Sequence, residues 1–122
     1  MKVLLGIGGS DGSYEALADT VTRAEEAGDE VTVAIVDRED IALTPSEIET
    51  EVRERLAETG LEPDIRHLSG HPGSRLVELA EQEQFDRLVV AGGERSPLGK
   101  INFDETLEFV LLNAETTVTL VR

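Results

Sequence analysis

Lys2-Val3-Leu4-Leu5-Gly6-Ile7 is an apolar run that breaks at Gly8-Gly9-Ser10-Asp11-Gly12 into a glycine-rich loop. The run does not alternate polar with apolar residues. A strand covered on both faces has that composition, and such strands belong to parallel sheets flanked by helices. The residues that follow change period. Leu17, Val21 and Ala24 fall on one side of a helix over residues 13–27, and Gly28 is placed to stop it. One strand, one glycine turn and one helix thus set the rhythm for the rest of the chain.

The rhythm repeats. Residues 31–36 read as a second strand. Thr44-Pro45-Ser46-Glu47 is a strong helix start: Thr44 can cap, Pro45 suits the first helical position, and Glu47 can reach back as in a capping box. Ile48, Val52 and Leu56 then form a narrow apolar stripe, so this helix covers one side and is otherwise wet. Residues 61–68 form a weaker third strand, which Pro63 assigns to an edge. Gly70-His71-Pro72-Gly73 turns into a helix bearing Leu76, Val77 and Ala80. Residues 87–91 are a fourth strand. Leu107, Val110, Leu111 and Ala114 mark a last helix, and Thr116-Thr117-Val118-Thr119-Leu120-Val121 is a fifth strand. Strands separated by helices cannot pair as hairpins. The expectation is a three-layer α/β/α domain spanning residues 1–122, with a mostly parallel five-stranded sheet.

Composition narrows the function classes. Of 122 residues, 26 are Asp or Glu and 11 are Lys or Arg, which gives a formal net charge of -15; the lysines are Lys2 and Lys100. Such a charge makes the folded state self-repelling at low salt and soluble where salt screens it, and it points to a salt-adapted cytosol. No basic stripe exists to displace counterions from nucleic acid, so no nucleic-acid partner is expected. There is no cysteine, which removes disulfides and thiolate chemistry together. The first apolar run is too short for a signal-peptide core or a membrane span, so a cytoplasmic location without membrane attachment is expected.

In open parallel sheets, ligands bind beyond the carboxyl ends of the strands, where the strand order reverses. The loops after strands one and four qualify. In the first, the spacing of a dinucleotide fingerprint fails, because the third glycine lies at Gly12 and not at Asp11. A tight turn and a ligand role stay equally open there. In the second, Gly99-Lys100 ends like a phosphate-binding loop, but Glu94 stands where the first glycine is required and Ile101 where the hydroxyl is required. His67 and His71 are the only histidines, and their spacing does not suit a shared metal on a strand and turn. Neither has a nucleophile partner that the sequence identifies, so no catalytic residue and no metal site is assigned.

Several segments in this order resemble the universal stress protein family. Residues 3–13 with Ala16-Leu17 look like the family's opening strand, Asp-Gly-Ser and helix. Val33 to Asp37 is similar to its second strand. Gly70-His71-Pro72 resembles the Gly-x-Pro before the third helix. Phe85-Asp86-Arg87-Leu88-Val89-Val90 and Arg95-Ser96-Pro97-Leu98 resemble its fourth strand and the loop beyond, and Val110-Leu111, Ala114 and residues 118–122 its last helix and strand. The resemblance implies a flavodoxin-like sheet in the order 3-2-1-4-5 and a homodimer through the last strand. It also implies a nucleotide pocket at Gly8, Val36, Ala91, Glu94, Asp104 and Glu105.

The family's ATP-binding subtype carries Gly-x2-Gly-x9-Gly-[Ser/Thr]. In this sequence those positions are Ala91, Glu94, Asp104 and Glu105, and the family's nucleoside-contacting aspartate is Gly8. The glycines that admit phosphate to backbone N–H groups are gone, and three carboxylates stand among the replacements. At an effective dielectric of ~20, one carboxylate–phosphate pair near ~4 Å costs roughly 4 kcal/mol, unless magnesium bridges it. The resemblance therefore implies a non-catalytic, homodimeric stress-response module with a degenerate ATP site and no cofactor. The alternative is an adenine-nucleotide switch, or slow ATPase, holding ATP with Mg in an atypical pocket.

Overall fold

The computed structural model describes residues 1–8, 11–36, 43–91 and 105–121. The elements run β1 (Lys2–Ile7), α1 (Asp11–Ala27), β2 (Glu30–Val36), α2 (Pro45–Leu56), β3 (Asp64–Leu68), α3 (Pro72–Gln82), β4 (Arg87–Ala91), α4 (Glu105–Asn113) and β5 (Thr117–Val121). All five strands lie in one sheet in the order β3-β2-β1-β4-β5. Every ladder is parallel, with Leu5 paired to Val33 on one side and to Val89 on the other. The layers are those of flavodoxin-like proteins; the order equals the first five strands of the dinucleotide-binding sheet, 3-2-1-4-5-6.

The two faces of the sheet are filled by alternate residues. Val3, Leu5 and Ile7 of β1, with Val33 and Ile35 of β2, pack against Leu17 and Val21 of α1 and Ile48, Val52 and Leu56 of α2. Leu4, Ala34, Val36, Leu88 and Val90 point the other way, onto Leu76 and Ala80 of α3 and Leu107 and Val110 of α4. Burial on both sides explains why β1 reads as one unbroken apolar run. Each Val, Leu or Ile among them contributes about 1.5–3 kcal/mol when fully buried.

The local signals act as the sequence predicts, with shifts at the ends. Thr44 Oγ1 accepts from the Glu47 N–H and Glu47 Oε1 accepts from the Thr44 N–H, both at 3.2 Å, so the capping box at α2 is complete. α1 begins two residues before the expected Ser13. β3 begins at Asp64, three residues after the expected start, since Pro63 has no N–H to give to a ladder. β5 begins one residue late, at Thr117. Leu111, expected on the core side of α4, is 44% exposed; Leu107 and Val110 carry that face.

Candidate functional site

The chain winds from β1 outward to β3, then crosses back to β4 on the other side of β1. The reversal leaves a gap between the carboxyl ends of β1 and β4 that no crossover fills. A recess of about 30 Å³ lies in that gap, lined by Gly6 and Gly8, Ser13, Val36, Leu76, Val90, Ala91, Thr106 and Leu107. This is well under the several hundred Å³ of an ordinary ligand pocket.

Three of the six expected site residues come together here. Gly8, Val36 and Ala91 all line the recess, brought there from the ends of β1, β2 and β4. Glu105 is the first residue of α4, next to the lining residue Thr106, and its side chain is exposed. Glu94 and Asp104 lie outside the described residues.

Two further features were not singled out by sequence reasoning. Ser13 Oγ accepts from the Gly8 N–H at 3.2 Å in a buried position, so one amide at the mouth of β1 is engaged within the chain. The Asp-Gly-Ser run gave the only hint of it. Gly6 lets α3 approach: a Cβ placed there would meet both Leu76 methyl carbons at 3.0–3.1 Å. Leu76 thus forms a floor against bare backbone.

Among the described residues, α4 brings carboxylates close to the rim. Glu105 and Glu108 both sit in its first turn. The N-terminus of a helix carries the positive end of its dipole, and carboxylates there stabilise it. The same end in a phosphate-binding helix faces the ligand.

The histidines stand apart. His67 on β3 pairs with Glu49 of α2. His71 caps α3, with its Nδ1 accepting from the Ser74 N–H at 3.0 Å, and its ring meets Phe109 of α4 edge-on at 4.9 Å. Among the described residues, no group of three or more His, Asp or Glu side chains is placed to hold a metal ion. Among the same residues, no helix is long and apolar enough to cross a membrane.

A parallel 3-2-1-4-5 sheet with a recess at its switch point defines a doubly wound α/β protein. The chain belongs to the universal stress protein family, whose model matches residues 1–122. Comparison with curated proteins returned no match. Solved structures are similar over the whole chain. A universal stress protein in complex with cAMP is 26% identical, with a TM-score of 0.76, covering 100% of this chain and 96% of that one. A universal stress protein from Archaeoglobus fulgidus is 20% identical, with a TM-score of 0.78 and coverage of 100% and 98%. One from the same organism in complex with dAMP is 17% identical, with a TM-score of 0.73 and coverage of 100% and 98%.

Proposed function

We propose that this protein is a non-catalytic regulatory module of stress response, homodimeric through β5, of the subtype that does not hold ATP in the family's manner. The observation that carries this reading is the replacement of the phosphate-holding positions. Glu105 opens α4 beside the recess, and Glu108 adds a second carboxylate to that first turn. Glu94 and Asp104 add two more carboxylates in sequence at motif positions. The side chains of Val36 and Ala91 line a recess of only about 30 Å³. The carboxylates oppose a triphosphate, and the space lined by the described residues is small for one.

Isothermal titration with Mg-ATP in high salt tests it. The expected result is no saturable heat at micromolar concentrations; a micromolar Kd overturns the proposal. The variant E94G/D104G/E105S restores glycines and a hydroxyl, and is expected to gain measurable ATP affinity. The net charge of -15 supports a salt-adapted cytosolic setting, in which thermal stability rises as KCl is added.

A second reading is favoured by one observation, the cAMP complex of a relative 26% identical to this chain. Cyclic AMP carries a single phosphate charge, so the carboxylate penalty falls most heavily on ATP. Micromolar binding of cAMP in the same titration would make the protein an adenine-nucleotide switch with an atypical pocket.

A further inference from the structure

A second and larger concavity lies on the opposite face from α3 and α4. It has a volume of about 340 Å³ and runs between α1 and the end of α2. That size falls in the range of small-molecule sites. Its floor is apolar, made by the buried side chains of Leu17, Val21 and Leu56, and the buried ring of Tyr14 forms a wall.

The charges around it are unequal in availability. Arg55 lies 4.4 Å from the centre of the Tyr14 ring, and its Nε donates to Glu51 at 2.8 Å. Arg55 lines the groove, and its charge is shared with Glu51 of the same helix. Glu25 and Glu58 also line the groove and are exposed. Among the described residues, neither carboxylate has a hydrogen-bond or ion-pair partner. The groove thus offers a greasy floor and two unengaged negative charges at its rim.

We propose that the α1/α2 groove is a binding site for small organic cations with an apolar body, of the arylalkylammonium class. The apolar body covers Leu17, Val21 and Leu56, and the ammonium stays at the wet rim between Glu25 and Glu58. An anion of the same shape meets the same floor and two like charges, against the one Arg55 cation that is shared with Glu51. The groove shares no lining residue with the β1/β4 recess, so the proposal stands apart from the reading of that recess.

The test is a ¹H–¹⁵N shift titration of the full chain with 2-phenylethylammonium and, separately, 3-phenylpropionate, at roughly 0.5 M KCl to suppress diffuse attraction. Saturable shifts are expected at the amides of Leu17, Val21 and Thr59 for the ammonium, with affinity about fivefold or more above that of the carboxylate. E25Q/E58Q is expected to bring the two probes to within about twofold of each other. E81Q/E115Q makes the same change in net charge at two exposed sites outside the groove, and should leave the preference intact. A18W, at an exposed position on the groove wall, should block both probes. Equal affinity for the two probes, absence of saturable shifts, or equal loss of preference in E81Q/E115Q overturns the proposal.

Discussion

β3 and β5 are both edge strands of five residues, yet β3 reads Asp-Ile-Arg-His-Leu and β5 reads Thr-Val-Thr-Leu-Val. The charges on β3 are all engaged. Arg66 Nε donates to Asp64 at 3.0 Å, its Nη1 donates to Glu83 beyond α3, and His67 bonds Glu49 on α2. The bond to Glu83, and then that to Asp64, holds the Arg66 guanidinium above its ordinary pKa. β5 has no charged residue along its length. Beside it, α4 ends with Leu112 83% exposed. An open edge is a template for another strand, and proteins blunt it with charge, with proline or with a partner. β3 uses the first two, with Pro63 just ahead of the strand. β5 uses neither, and its sequence is consistent with a strand kept free for a second copy of the chain.

The largest effect is expected from breaking that contrast at β5. The double substitution T117K/T119K writes the β3 strategy onto the other edge. In a two-fold dimer each lysine pair meets its own copy, and like charges across an interface cost several kcal/mol. We expect the wild-type protein to scatter light as a dimer at high salt, and the variant to be monomeric, with a dimer Kd about 100-fold or more weaker. A wild-type monomer under those conditions removes the dimer from the proposed function.

The converse change comes next. D64T/R66V/H67V strips the charges from β3 and leaves both edges bare. The expected outcome is concentration-dependent association beyond a dimer, seen by sedimentation velocity, because each copy then has two open edges. A variant that stays at the wild-type size shows that α2 and the loops already shield β3 without help from charge.

The difference between the edges was partly legible in the sequence. Pro63 marks β3 as an edge, and the run after Glu115 carries no charge along β5. Both are local signals, as are Thr44-Pro45-Ser46-Glu47 at α2 and the apolar run of β1. The pairings that neutralise β3 were not legible. Glu83 lies 17 residues from Arg66, and Glu49 lies 18 from His67. In a chain with 26 acidic residues, no pattern selects those two as partners. The candidate recess divides the same way. Gly8, Val36 and Ala91 end the strands that meet at the switch point, so their convergence follows from strand order. Leu76 reaches the recess only because Gly6, on another element, has no side chain. The α1/α2 groove, and Arg55 over Tyr14, depend on two helices 41 residues apart at those positions and left no periodic trace.

α2 covers the β3 side with a narrow apolar stripe, so its cap should matter more than average. Ile48, Val52 and Leu56 are its only buried residues. Thr44→Ala removes the hydroxyl that accepts from the Glu47 N–H and leaves the reciprocal bond alone. The expected loss is about 1 kcal/mol in urea unfolding. Hydrogen exchange should speed up along β3 before it does along β5, since α2 carries Glu49, the partner of His67. Equal acceleration at both edges counts against a local role for the cap.

The smallest effect is a pH dependence confined to the β3 side. The Glu49 carboxyl is held below its ordinary value of 4.5, first by the His67 hydrogen bond and then by Arg53. A carboxyl whose folded-state pKa is depressed binds its proton more readily in the unfolded chain. Its stabilising contribution is therefore complete above 4.5 and is lost as the pH falls through the folded-state value. Glu49→Gln has no proton to exchange at this position. The stability difference between wild type and E49Q should close as the pH falls below the neighbourhood of 4.5. The pair is exposed, so the difference is small and should shrink with added salt. A difference that persists unchanged to the acid limit assigns the effect of the substitution to packing, and the electrostatic protection of β3 then rests on Arg66 alone.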